Sequence, residues 1–310
     1  MSDASAEGSG AEEPSVPLVG FILAGVQKGG TTSLYKMLVQ HPQIARASRK
    51  ELHFFDDDKR DWSNPKYGGY HRHFNRSDSA TIAGEATPSY IFWPGSMERI
   101  KAYNPDMRLV LSFRDPVERA FSQWSMNKDR RAITPEFAVA IREVRPTSLP
   151  RTAQEAGRQS RAFVGRGYYS EQLARVLDLF PAEQVVLLDY HRLFKDLRTS
   201  IDRITDLLGI ERFAELPVEL RQRKQPGSLA AAPPSAEDVA MLVELFADDL
   251  AAFARLSGID VSNWSTSRVA QGSLAASEVA AKLAAKTTFT EVPVSPDVGG
   301  TAEPPATVEP

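Results

Sequence analysis

The sequence predicts an α/β fold: one domain with a central, mainly parallel sheet flanked by helices. Three observations carry this. Continuous apolar runs of strand length occur at 19–26 (VGFILAGV), 107–114 (MRLVLSFR) and 184–190 (QVVLLDY), as expected of strands buried on both faces. Helical patterns alternate with them, as at 31–42, 96–105 and 116–128. Strands alternating with helices imply a parallel sheet, and in such folds ligands sit at the carboxyl ends of the strands.

In chain order, residues 1–16 are small, acidic and Pro/Gly-bearing, and are expected to be disordered. The run 19–26 is the first buried strand. Residues 31–42 (TTSLYKMLVQHP) read as a helix: Thr31 or Thr32 can cap it, Leu34, Met37 and Leu38 form its apolar face, and Pro42 follows its end. ATIAGEAT (80–87) holds a short strand. Residues 96–105 form a helix with a Pro stop, and 107–114 the second buried strand. Residues 116–128 form a helix with Pro116 in its first turn. A helix at 169–181 precedes the third buried strand, 184–190. An amphipathic helix at 197–210 ends at Gly209, and a long helix covers 235–258. Residues 274–286 (LAASEVAAKLAAK) can form a solitary helix, with too few large apolar residues to dock it firmly. The expected organisation is a tail at 1–16, one domain at 17–265 and a mostly disordered tail at 266–310.

With 310 residues, 42% of them hydrophobic, the chain can bury a substantial core. Its formal charge of −3 gives no argument for nucleic acid as a partner. Residues 1–16 carry four acids and no base, and 266–310 carry five acids and three bases; removing −4 and −2 leaves the middle at about +3, compatible with an anionic ligand. The absence of cysteine excludes disulfides, thiolate zinc sites and cysteine nucleophiles. The histidines are His41, His53, His71, His73 and His191; the one close pair, His71 and His73, has no acidic ligand pattern around it, so no metal is expected. Residues 1–16 lack a signal-peptide pattern and no apolar run approaches a membrane span. A cytoplasmic protein without stable membrane insertion is therefore expected. Nothing in the sequence specifies an oligomeric state.

Three segments fall at strand ends: 25–33, 84–88 and 114–122. In the first, the Gly29–Gly30 pair lets the backbone turn sharply and aim successive N–H groups inward. The helix starting near Thr31 adds its positive end. Lys28 supplies a point charge, and Thr31, Thr32 and Ser33 supply hydroxyl donors. The loop suits a phosphate or a sulfate; a plain glycine turn with an exposed lysine is the alternative. It is not the usual nucleotide loop, in which a Gly-Lys-Ser/Thr run follows the first glycine by four residues. Lys28 precedes the glycine pair, and no Gly-Lys pair occurs in the chain. In the third segment, Arg114 at the strand end, Ser122 about two helical turns on and Arg119 can serve a second anion. The alternatives are a salt bridge from Arg114 to Asp115 or Glu118 and a solvated Ser122. Asp115 can be read as the magnesium carboxylate of a kinase, but the adjacent arginine favours an anion.

Together, GVQKGGTTSLYKMLVQHPQI, KELHFFD (50–56) and RLVLSFRDPVERAFSQW resemble the sulfotransferases that use 3′-phosphoadenylyl sulfate (PAPS). The likeness is to the heparan sulfate 3-O-sulfotransferase and N-sulfotransferase type, in a bacterial-looking soluble form. GEATPSY (84–90), GYYSEQLARVLDLFP (167–181) and VVLLDYHRLFKD (185–196) continue it in the right order, over residues 18–225. The resemblance implies a P-loop-like fold, PAPS as donor and no metal. Lys28, Gly29, Gly30, Thr31, Thr32 and Ser33 would take the 5′-phosphosulfate, with Lys28 near the bridging oxygen. Arg114 and Ser122 would take the 3′-phosphate. Glu51 maps to the general base, with His53 on the same side of an extended stretch to assist or orient the acceptor. Glu85 is a second candidate acid on the acceptor side. The similar glycan enzymes carry Lys after this Glu; here it is Ala86. Arg223 and Lys224, in RQRKQPGS (221–228), lie where the family often closes over the nucleotide and would contact its 3′-phosphate; a solvated basic loop is the other reading. Tyr168 or Tyr169 would line the adenosine site, or simply pack in the core. The arginine-dense stretch 130–166 reads as an acceptor-side insertion or lid.

The expected function is transfer of the sulfuryl group of PAPS to a hydroxyl, in preference to an amine, of a small metabolite, glycolipid or saccharide. The alternatives are a nucleotide kinase or NTPase and a catalytically inactive nucleotide-binding module.

Overall fold

The computed structural model describes residues 17–75, 79–130, 134–142, 150–152, 154–155, 163–216, 228–286 and 288–290. Strands β1 (Phe21–Gly25), β2 (Ile44–Arg46), β3 (Ile82–Ala86), β4 (Arg108–Phe113) and β5 (Val185–Asp189) form one sheet in the order β2-β3-β1-β4-β5. Every pairing in it is parallel, as the alternation of strands and helices predicts. β2 is absent from the sequence reading because three residues of mixed polarity carry no periodic signal.

The apolar runs are explained by what covers the two faces. Ile22, Ala24, Leu109, Leu111 and Phe113 point to one core, shared with α3 (Ser96–Tyr103) and α6 (Ser170–Leu179). Phe21, Leu23 and Val110 point to the opposite core, shared with α1 (Thr31–Leu38) and α8 (Leu197–Leu208). A strand covered on both faces has no polar alternation to show. Each fully buried large apolar side chain contributes about 1.5–3 kcal/mol relative to exposure. α8 is framed by the Asp196 side chain accepting from Thr199 N–H and by left-handed Gly209. α9 (Ala236–Ser257) starts at a reciprocal Ser235–Asp238 capping box.

The end of the described chain departs from expectation. Beyond α4 (Pro116–Arg130), α5 (Phe137–Ala140), the short α7 (Tyr190–Leu193) and α10 (Ser265–Ala270), residues 276–284 form α11 (Ala276–Ala284). α11 is docked: Val279 and Leu283 are buried with Val117, Phe121 and Trp124 of α4 and Val239 and Phe246 of α9. Two well-placed apolar residues suffice because α4 and α9 already present an apolar floor, which helix propensity cannot register. Strands β6 (Ser228–Ala230) and β7 (Thr288–Thr290) pair in parallel beside this layer. The tails 1–16 and 291–310 lie outside the described residues, as do 131–133, 143–149, 153 and 156–162 of the arginine-dense stretch 130–166. No helix among the described residues is long and apolar enough to cross a membrane.

Candidate active site

A cleft of about 1790 Å³ opens over the carboxyl ends of the central strands. It exceeds the roughly 300–1,000 Å³ usual for a single small ligand, so it has room for more than one small molecule. Lys28, Gly30, Thr31, Thr32 and Ser33 line it, as do Glu51, His53, Asp56, Arg114, Ser122, Arg166, Tyr190 and Lys286.

The loop after β1 is held closely. Gly29 N–H donates to Val26 O at 2.9 Å and Ser112 Oγ to Gly29 O at 2.7 Å. A Cβ on Gly29 would run into the Ser112 carbonyl oxygen. Gly30 sits at φ +82° with the Tyr190 ring where its Cβ would be, so only glycine serves at either place. Gly30 occupies the N-cap of α1, and no side chain caps that helix. The expected Thr31 or Thr32 cap is therefore not made, because the left-handed glycine turns the chain directly into the helix. The first N–H groups of a helix have no intrahelical partner, and here they start at the cleft, which suits an anion. Lys28 is held at φ +72°, and its Nζ lies 3.5 Å from Met126 Sδ.

Arg114 leaves the end of β4 nearly buried and shares the loop's environment. Its Nη1 reaches Lys28 O at 3.5 Å, its Nη2 donates to Glu118 Oε2 at 3.0 Å, and the guanidinium lies over the Tyr190 ring at 4.8 Å. The sequence alternative of a salt bridge to Glu118 is thus present together with exposure to the cleft. Ser122, two turns along α4, borders the same cleft. Arg119 does not; it is fully buried and donates to Gln123 Oε1 and Phe163 O. Asp115 is fully buried, and its oxygens accept from Glu118 N–H at 2.9 Å and Thr266 N–H at 2.7 Å. These contacts make it a structural cap and not an open metal ligand. Tyr169 is a core residue whose hydroxyl donates to Arg114 O at 2.8 Å, and Tyr168 packs beside Phe246; neither borders the cleft.

The acidic side of the cleft is a relay. His53 Nε2 lies 3.2 Å from Glu51 Oε2, and its Nδ1 lies 2.9 Å from Asp56 Oδ2, which also accepts from Ser89 Oγ at 2.6 Å. The hydrogen bonds to Asp56 and then Glu51, set against burial, raise the His53 pKa to about 10. Burial pushes the Glu51 carboxyl up, but the His53 hydrogen bond and the Lys50 charge outweigh it and leave its pKa below the ordinary value. At neutral pH the His53 ring is held as an imidazolium bridging Glu51 and Asp56. Its contribution to stability is complete below about pH 6.5 and is lost as pH rises through about 10. His53 is itself at φ +54°, so among the described residues the two non-glycine positions with positive φ are Lys28 and His53. Such conformations cost about 1–3 kcal/mol and gather where function demands a geometry. Asp56 and Tyr190 were not singled out from the sequence; Asp56 stands three residues past His53 in KELHFFD, the one signal available.

Glu85 is not brought to the cleft, which corrects its assignment to the acceptor. Its carboxylate is fully buried and accepts from Tyr70 Oη at 3.0 Å, Tyr90 Oη at 3.0 Å and Thr87 Oγ1 at 2.6 Å. Thr87 Oγ1 in turn accepts from Leu52 N–H, and Tyr90 Oη from Phe54 N–H. Glu85 therefore braces the segment that carries Glu51 and His53, because β3 ends inside the core beneath it. Burial, set against these hydrogen bonds, raises its pKa to about 7. The stability tied to its protonated form is complete below about pH 4.5 and is lost as pH rises through about 7. Glu85→Ala strands three buried hydroxyls and is expected to cost about 3–5 kcal/mol in urea unfolding. Arg223 and Lys224 lie outside the described residues. Among the described residues no group of three or more His, Asp or Glu is arranged to hold a metal.

This fold and cleft are those of the sulfotransferase domain family. The family's model matches residues 20–223, and the chain belongs to it. The chain is 32% identical over 202 residues to heparan sulfate glucosamine 3-O-sulfotransferase 3A1 of Homo sapiens, covering 65% of this chain and 47% of that protein. It is 30% identical over 204 residues to heparan sulfate glucosamine 3-O-sulfotransferase 5 of Mus musculus, covering 65% and 54%. The chain thus spans about half the length of the curated relatives it matches. A sulfotransferase crystal structure from Alicyclobacillus acidocaldarius aligns over 80% of this chain and 99% of its own with a TM-score of 0.66, at 24% identity, which establishes the shared fold.

Proposed function

We propose that the protein transfers the sulfuryl group of PAPS to a hydroxyl, in preference to an amine, of a small metabolite, glycolipid or saccharide. The observation that supports this is one cleft bordered by the Lys28 loop, by Arg114 with Ser122 and, separately, by the Glu51 carboxyl group. The Lys28 loop and the Arg114–Ser122 face suit the 5′-phosphosulfate and the 3′-phosphate. Helix α1 starts at Gly30 in the wall of the cleft with no side-chain cap, and a helix N-terminus of this kind fits a phosphate group.

In this reading Glu51 takes the proton of the acceptor hydroxyl as its oxygen attacks sulfur. The sulfur–oxygen bond to the phosphate breaks with its electron pair passing to the phosphate oxygen, where Lys28 meets the developing charge. His53 holds Glu51 in place and keeps it ionised. The parent holds the Glu51 carboxyl below its ordinary pKa; replacing His53 with Asn removes that cation, so the acid limb of kcat/KM is expected to move upward. A pH–rate profile with an unmoved acid limb contradicts this role.

The kinase alternative needs an open magnesium carboxylate at the β4 end, and Asp115 is engaged by two backbone N–H groups. Incubation with PAPS labelled in its sulfuryl group and panels of hydroxyl and amine acceptors tests the proposal. Label is expected on a hydroxyl-bearing acceptor. Phosphate transfer from ATP and magnesium to the same panel would establish the alternative.

A further inference from the structure

The buried Glu118 carboxylate is met by more positive charge than it can neutralise. It is 2% exposed and faces Arg114 Nη2 at 3.0 Å, Lys286 Nζ at 3.1 Å and Lys282 Nζ at 2.6 Å. Three cations oppose one carboxylate. Counting the neighbouring Asp115, whose oxygens already accept two backbone N–H groups, still leaves an excess of one. The two lysines differ in placement. Lys286 borders the cleft together with Arg114 and Ser122, and Lys282 does not. Lys286 stands just past α11, on a segment whose docking against α4 is fixed by Val279 and Leu283. Burial, offset by Glu118 and deepened by Arg114 and Lys282, lowers the Lys286 pKa, so an added anion relieves the site. An ammonium has three N–H donors. One directed at Glu118 fixes the head and leaves two for a ligand.

We propose that Lys286 is a third ligand, with Arg114 and Ser122, for the 3′-phosphate of a nucleoside 3′,5′-bisphosphate. The helical segment 265–286, which lies beyond the family-matched residues 20–223, then completes the donor site, with Glu118 orienting both cations. This rests on the sulfuryl-transfer reading and adds a ligand to it from outside the matched domain.

Calorimetric titration with adenosine 3′,5′-bisphosphate and with AMP, which lacks the 3′-phosphate, tests it. Lys286→Met is expected to weaken bisphosphate binding about 10- to 100-fold and AMP binding less than about threefold. Lys286→Arg should keep most of the affinity, and Lys282→Met should change neither ligand by more than about threefold. A second readout uses the unaltered protein: acylation of Lys286, followed by mass spectrometry, should be slowed by the bisphosphate and not by AMP. Bisphosphate affinity unchanged in Lys286→Met, equal losses for both nucleotides, or labelling that the bisphosphate does not slow would each overturn the inference. A parent protein that binds neither nucleotide would overturn the functional reading and this inference with it.

Discussion

Glu51→Gln is expected to lower kcat by about 10²- to 10⁴-fold while leaving bisphosphate affinity within about threefold. The substitution keeps the shape of the side chain and its place beside His53 Nε2, 3.2 Å away in the parent, but removes the acceptor for the substrate proton. An alcohol is far too weak an acid to ionise unaided near neutrality, so the missing base falls on the chemical step. The nucleotide is assigned to the loop and the Arg114–Ser122 face, which the change does not touch. A Glu51→Gln protein that transfers sulfuryl groups at close to the parent rate would remove Glu51 from the mechanism. His53 does not replace it: its hydrogen bond to Asp56, the largest cause of its raised pKa, survives the substitution and favours the protonated ring.

Lys28→Met is expected to reduce kcat by about 10²- to 10³-fold, the scale of losing one preorganised charge at the oxygen where charge develops. The N–H groups of the loop and of the α1 N-terminus remain, so ground-state binding should fall much less than turnover. A charge needed chiefly in the transition state predicts that split. Lys28 leaves the wall of the cleft from a backbone at φ +72°, a conformation of the kind that gathers where function demands a geometry. Equal losses in nucleotide affinity and in turnover would instead make Lys28 a general anchor.

Much of the sheet was legible because its strands are covered on both faces. Val110 meets one core and Leu111 the other, which produces the unbroken apolar runs. The loop was legible because its glycine pair and the misplaced Lys28 are local features. What was not legible depends on contacts distant in sequence. Glu85 looked like an acceptor ligand, but Tyr70 and Tyr90 close over it. α11 looked like a loose helix, but α4 and α9 supply its partners. Lys286 lies 172 residues after Arg114, and no spacing rule joins them. Asp56 was within reach, three residues after His53, but its role appears only when the imidazole bridges it to Glu51.

In the proposed reading, two anion-binding faces flank one cleft and accept a nucleotide phosphorylated at both the 3′ and 5′ positions of its ribose. A calorimetric titration of the unaltered protein with adenosine 3′,5′-bisphosphate, against ATP with magnesium, tests it most directly. Tighter binding of the bisphosphate, unaffected by adding or chelating magnesium, is expected. Tighter binding of ATP that requires magnesium would contradict it.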